Sequence, residues 1–254
     1  MNYKNSVKEL IRENASVFSI LLFFIFMTLF FTISADSFFT QRNFLNLLRQ
    51  SAPILIAATA MTFVITTGGI DLSVGSTLAI VNALCAILLI NQFHWVLVLF
   101  VLILVGVACG LIQGYFIAYE GIPAFIVTLA GMSSIRGLAL LMTEGFTIPI
   151  DKNLGIIYLG RGWLFGIPIP AIIAVIIIII GYVLLNNTTY GQYVTAIGSN
   201  SEATRRSGIN IKLYTLFTYI FCGVCAAIGG IIIAARLGSG SSNAGVMFEL
   251  EVIA

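Results

Sequence analysis

One carboxylate in this chain stands where sequence on both sides is apolar. Asp71 lies within residues 66–76, together with Gly68, Gly69, Gly75 and the hydroxyls of Thr66, Thr67, Ser73 and Ser76. A charge at membrane depth is costly, so such a residue marks function by default. An Asp just beyond a pair of glycines also suits a simpler task. It can N-cap a helix beginning near Leu72 by accepting backbone N–H groups that the glycine break has freed. The two roles are compatible if the cap holds a broken helix at a pathway, and capping is the preferred reading. Arg136 is the second ionisable group at mid-span by count, on a segment that also presents Ser133 and Ser134. Either it pairs structurally, for example with Glu144 about two turns later, or it serves the pathway or a dimer contact.

This inventory is poor in reactive chemistry. An intramembrane serine protease needs a buried Ser and His together, but the single histidine, His94, sits in a polar turn beside Asn91 and Gln92. An aspartyl protease needs two intramembrane Asp, and only Asp71 qualifies, since Asp36 and Asp151 lie in polar loops. Cys222 and Cys225 form a CxxC without a second pair, a nearby His or a carboxylate, so a zinc site lacks ligands. With Cys85 and Cys109 they read as small buried hydrophobes. No GxxxxGK[ST] occurs, so ATP hydrolysis belongs elsewhere. We therefore expect no catalytic residues, no metal, no cofactor and no enzyme activity.

The elements that must position these groups are membrane helices. Of 254 residues, 59% are hydrophobic and only 9% charged, and the mean hydropathy is +1.08. A water-facing surface needs roughly a quarter charged residues. The chain is therefore expected to be an all-α polytopic membrane protein that meets membrane lipid directly. The formal charge of +2 is scattered rather than striped, which argues against nucleic acid. The apolar block after Lys4, Lys8 and Arg12 is longer than a signal-peptide core and reads as a retained first span over 16–35.

Further spans are predicted over about 53–66, 76–90, 95–119, 124–142, 170–185 and 213–235. The second and third are short and flank the glycine-rich break, the pattern of a discontinuous helix. An amphipathic interfacial helix is expected ahead of the second, with Phe44, Leu45, Leu47 and Leu48 on its apolar side and Pro53 in the first turn of the span that follows. Gly106, Gly110 and Gly114 form a doubled GxxxG on one helix face, and Cys222, Ala226, Gly230 and Ala234 repeat at the same spacing; both are close-packing faces. The one sizeable hydrophilic insert, residues 186–212, holds a short capped helix from Ser201 to a terminal glycine, Gly208. The tail 1–15 and the insert are the richest in basic residues, which places both in the cytoplasm. Six full crossings between them satisfy the parity, and so do four plus a re-entrant pair around Gly68–Gly75.

Several motifs carry a resemblance. Thr67-Gly68-Gly69-Ile70-Asp71-Leu72-Ser73-Val74-Gly75-Ser76 is similar to the signature of permease subunits of bacterial ribose/xylose/galactose-type ABC importers. Gly121-Ile122-Pro123-Ala124-Phe125-Ile126-Val127-Thr128-Leu129, Ser134-Ile135-Arg136-Gly137-Leu138-Ala139, and the stretch from Gly191 through Ala196-Ile197-Gly198-Ser199-Asn200-Ser201-Glu202-Ala203 to Ser207-Gly208-Ile209 follow in that family's order and spacing. The resemblance runs from about residue 45 to the end. It implies a single permease domain over 1–254 in the bacterial cytoplasmic membrane, paired with a second permease chain. It also implies cytoplasmic ABC ATPase subunits and an extracytoplasmic sugar-binding protein as partners. The insert would be the coupling loop that docks on the ATPase, through Gly191, Glu202, Ala203, Arg205, Arg206 and Gly208. Gly68, Gly69, Asp71, Ser73, Gly75 and Arg136 would belong to the pathway. Such permeases carry a glycine-rich segment and further helices after the stretch corresponding to 248–254, so the resemblance implies more chain than is present here. A neutral polyhydroxy sugar suits so sparse a set of intramembrane charges, as does a nucleoside or a furanose. The alternative is an ion-coupled secondary transporter, which broken helices and an intramembrane Asp also suit. Against it stand the lone carboxylate and the lack of a recognisable inverted repeat of the break.

Overall fold

A computed structural model describes residues 15–152 and 154–254. The basic tail with Lys4, Lys8 and Arg12 lies outside the described residues. The chain divides into two compact units, Met1–Leu47 and Leu48–Ala254.

In the first unit, helix α1 (Ala15–Ser34) has no acidic residue in its first turn and no basic one in its last. It is apolar throughout and its large side chains are exposed, as lipid contact allows. A short turn follows, in which Asn43 Nδ2 donates to the Phe38 carbonyl (2.8 Å) and the Asn43 N–H donates to Thr40 Oγ1 (3.2 Å). These bonds cap the start of α2 (Gln41–Thr66).

Here the structure corrects the sequence reading. The expected interfacial helix and the expected short second span are one 26-residue helix that continues through Pro53. Proline removes one backbone bond, but burial can hold such a helix together. Pro53 is buried among Ala52, Ile56 and Ala57, in the core shared with α10.

The second unit contains α3 (Val74–Ile90), α4 (Trp95–Ala118), α5 (Ala124–Thr143), strand β1 (Ile148–Pro149), α6 (Ile157–Arg161), the hairpin β2 (Trp163–Leu164) and β3 (Ile167–Pro168), α7 (Ile169–Asn187), α8 (Thr189–Ser199), α9 (Ser201–Arg206), α10 (Ile211–Leu237), β4 (Ser239–Gly240) and α11 (Phe248–Ile253). β1 pairs with β4 antiparallel, and β2 with β3. Six of the described helices, α1, α2, α4, α5, α7 and α10, are long and apolar enough to cross a membrane; α3 is shorter. His94 caps α4, its Nδ1 accepting from the Val96 N–H at 3.4 Å.

α10 is the central post. Its residues Tyr219, Cys222, Cys225 and Ala226 join a core with α2 and α3, while Ala227, Ile231 and Ala234 join another with α3, α4 and α6. Contact with α4 runs along the doubled GxxxG. A methyl group added at Gly106 would meet the Gly223 backbone, at Gly110 the Tyr219 and Ile220 backbone, and at Gly114 the Leu216 side chain. Gly230 faces the other way, against the Leu78 carbonyl and Val81 of α3. Small residues let backbones meet where lipid supplies no hydrophobic drive. α7 buries Ala171, Ala174, Ile177 and Gly181 and exposes Val175, Ile176, Ile179 and Ile180.

Two ends of this unit can be told apart. At one end, α8 and α9 lie near the last turn of α2 and the first turns of α10: the Gly198 backbone abuts Thr66, and Tyr190 Oη is 3.1 Å from Thr218 Oγ1. At the other end lie the β1–β4 pair and the last turn of α10.

Gly110→Ala is expected to destabilise the fold by about 1–3 kcal/mol, because the intruding methyl meets backbone rather than a mobile side chain. Gly137 of α5 has nothing near its added methyl, so Gly137→Ala is expected to be neutral or to gain about 0.5–1 kcal/mol. Thermal unfolding of the two variants in one detergent checks both outcomes.

Candidate functional site

The break between α2 and α3 is built by backbone bookkeeping. Gly68 has φ +83°, a left-handed conformation suited to glycine. Its N–H donates to the Ile65 carbonyl (2.9 Å), and the Gly69 N–H reaches back to the Val64 carbonyl (3.0 Å). This pair of bonds closes the helix as a Schellman motif and satisfies carbonyls that would otherwise be stranded. Beyond it, residues 69–73 carry the chain away from the insert end towards the middle of α10. The Ile70 carbonyl accepts from Thr128 Oγ1 of α5 at 3.2 Å. A methyl on Gly69 would collide with Tyr219 Oη.

Asp71 is 2% exposed. Its Oδ1 accepts from the Ser73 N–H at 2.9 Å and lies 2.7 Å from Ser73 Oγ. Ser73 Oγ in turn accepts from Gln113 Nε2 of α4 at 2.7 Å. Cys222 of α10 is a close neighbour of the carboxyl group. One carboxyl group thus connects the break, α4 and α10. The structure revises the expected cap in one respect. The helix starts at Val74, not near Leu72, and Asp71 closes the turn ahead of it rather than its first helical residues. An Asp followed two residues later by a bonded N–H is a local turn that Asp adopts readily. Tyr219 Oη and Ser76 Oγ are buried without a hydrogen-bond partner among the described residues.

Arg136 is not part of it, and it does not pair with Glu144. Its Nη1 donates to the carbonyls of Ser242 (2.8 Å) and Ala244 (2.7 Å), and its Nη2 donates to that of Gly245 (3.1 Å). The guanidinium fork finds three irregular backbone carbonyls across the helix, which a neighbour on its own helix could not match. Gly245 also abuts Gly75 at the start of α3, where Phe248 and Glu249 of α11 close the contact. Arg136 therefore braces the loop against which α3 begins.

The insert holds one more helix than expected. Thr188 caps α8, its Oγ1 accepting from Gly191, and Gly191 fits against the Leu184 and Leu185 carbonyls. Asn200, not Ser201, caps α9: its Oδ1 accepts from the Ala203 N–H at 2.9 Å. Glu202 pairs with Arg205 (2.9 Å) and Arg206 (3.0 Å) on an exposed face. The Arg205 bonds first, then those of Arg206, hold the Glu202 carboxyl below the ordinary carboxylate range. Gly208, with φ +82°, ends the helix.

Gln113, Tyr219, Cys222 and Thr128 escaped sequence reading as members of the Asp71 cluster. A glutamine inside an apolar span was a usable signal for the first of these. Among the described residues no group of His, Cys, Asp and Glu could hold a metal.

Comparison with known proteins assigns this architecture. Residues 43–254 match the model of the branched-chain amino acid transport system / permease component family. The chain belongs to that family. It is 38% identical to a ribose import permease protein of Haemophilus influenzae, over 85% of this chain and 68% of the relative. It is 37% identical to a galactofuranose transporter permease protein of Escherichia coli, over 82% of this chain and 61% of the relative. With a ribose import permease protein of Bacillus subtilis the identity is 39%, over 88% and 70%. No solved structure matches it. The protein is a multi-pass permease of the inner membrane, and these matches favour the importer reading over ion coupling.

Asp71→Asn keeps an acceptor for the Ser73 N–H, whereas Asp71→Ala leaves that buried donor unsatisfied. We expect Asn near wild-type stability and Ala to be destabilised by about 1–3 kcal/mol, with transport falling in parallel. Unfolding midpoints and uptake by the two variants check this ordering.

Proposed function

We propose that this chain lines the translocation pathway of an importer for a monosaccharide or a closely related furanose, working with a second permease chain. The energy comes from cytoplasmic ATPase subunits and the cargo from an extracytoplasmic sugar-binding protein. The names of its relatives, ribose and galactofuranose permeases among them, support a sugar as cargo. The apolar and sparsely charged spans suit a neutral substrate. In this reading the insert is cytoplasmic and receives the ATPase on the exposed face of α9, with Glu202, Ala203, Arg205 and Arg206.

One observation carries the mechanism: the backbone of Gly198 in α8 abuts the Thr66 carbonyl, the last residue of α2 before the break. A protein interior transmits displacement because it is close-packed. A push on the insert reaches residues 67–73 without passing through a flexible linker. Thr188, Asn200 and Asn210 cap the successive helices α8, α9 and α10, so the insert can act as a stiff lever on two spans at once. At the far end of the break, Asp71 ties that motion to α4 and α10. Asp71 then holds the shape of the pathway rather than gripping sugar.

In the complete transporter, Arg206→Glu is expected to cut sugar-stimulated ATP hydrolysis by at least fivefold through lost docking. Gly198→Val is expected to leave ATPase binding intact while uncoupling hydrolysis from uptake. Co-purification, hydrolysis and uptake assays on both variants separate the two effects. Unchanged stimulation in Arg206→Glu would remove that residue from the interface.

A further inference from the structure

At the end of the second unit opposite the insert, Arg49, Arg161 and Arg236 gather without an ion-pair partner among the described residues. Arg161, at the end of α6, donates Nε to the Arg236 carbonyl (2.8 Å) and Nη2 to the Leu237 carbonyl (2.9 Å), placing a cation at the C-terminus of α10. Arg236 sits in that same last turn, and its guanidinium is close enough to that of Arg49 for the two to repel. Arg49 lies with its Cζ 4.6 Å from the centre of the Trp163 ring. Nε and Nη2 of Arg49 and Nη1 of Arg236 are buried and have no hydrogen-bond partner among the described residues. Neither arginine has an ion-pair partner among the described residues. Glu251 borders a neighbouring cavity with Arg236 without pairing to it.

Buried N–H donors are nearly always satisfied in folded proteins, and clustered guanidiniums need a counter-charge. An anion with several acceptor oxygens, such as a phosphate, would supply both. An open groove of about 600 Å³ lies beside the cluster, lined by Lys152, Tyr158, Arg161 and Trp163 among others. The β2–β3 hairpin stands next to it and ends in a bare apolar tip. Phe165 is 95% exposed, and Leu164 and Ile167 are exposed as well. The hairpin leads directly into α7, one of the helices suited to crossing the membrane.

We propose that Arg49, Lys152 and Arg161, with Trp163, bind the phosphate of an anionic glycerophospholipid headgroup, while the hairpin tip enters the acyl boundary. Basic side chains beside Trp and Tyr at the end of membrane helices are the physical pattern of headgroup contact. The exposed Phe165 favours a lipid over a free anion, because soluble phosphate offers it nothing to bury against. It also favours a lipid over a carboxylate on a docked protein, because the apolar tip extends from the element that starts a membrane helix.

Native mass spectrometry of the full chain, titrated with phosphatidylglycerol or phosphatidylcholine at equal concentration, tests this. We expect at least fivefold more phosphatidylglycerol adduct than phosphatidylcholine adduct. Arg49→Gln and Lys152→Gln should each lower that preference severalfold, and Arg205→Gln at the insert end should keep it. Lys152 is exposed, so its variant reads binding even if Arg49→Gln folds poorly. Equal adducts for the two lipids would overturn the proposal. Displacement of phosphatidylglycerol by millimolar inorganic phosphate would also overturn it, assigning the cluster to a free anion. A preference retained in both variants, with loss of capture by the sugar-binding protein, would assign the arginines to a protein carboxylate instead.

Discussion

Backbone polar groups inside a bilayer must find partners within the protein, and residues 67–73 are where this chain meets that constraint without a helix. Every feature of the break follows from it. The Val64 and Ile65 carbonyls are closed by Gly69 and Gly68, the Ile70 carbonyl by Thr128, and the Ser73 N–H by Asp71. Three of the four solutions are local. The fourth recruits α5, so the break is held by a neighbouring helix as well as by its own turn. Gln113 and Cys222 add α4 and α10 to the same cluster. An unwound segment satisfied in this way is shaped, and it can change shape only if its neighbours move with it.

Those neighbours are locked to one another. The glycines of α4 bring its backbone against α10, and Gly230 brings α10 against α3. The helices around the break therefore behave as one body over most of their length. What remains free to act on it is the insert, whose Gly198 touches the end of α2 from outside that body. Arg136 does the corresponding job at the start of α3, bracing the loop around Gly245 by its carbonyls. Between these two braces the break has a fixed entrance and a fixed exit.

Much of this was legible in the sequence, because apolar length and glycine spacing are direct readouts of membrane packing. The spans, the doubled GxxxG and the glycine break followed from residue type alone. Four features did not. Pro53 reads locally as a helix start, and only burial among Ala52, Ile56 and Ala57 lets the helix run through it. Arg136 reads as a charge seeking a charge on its own helix, yet its hydrogen bonds go to carbonyls more than a hundred residues later, which no periodicity announces. The Asp71 cluster needs Gln113, Thr128 and Cys222 from three separate helices, and one sequence cannot bring them together. The basic groups at 49, 152, 161 and 236 were visible singly, but their convergence at one end of the second unit is a property of the fold.

In the proposed mechanism the insert and the break move as one mechanical unit. Distances between spin labels on genetically encoded side chains at positions 70 and 200, measured within one permease chain and to the same positions of the second chain of the complete transporter, test this. The 70–200 distance within a chain should stay constant with and without ATP while the 70–70 and 200–200 distances between chains change together. An insert whose 200–200 distance changes with nucleotide while the 70–70 distance stays fixed would contradict it.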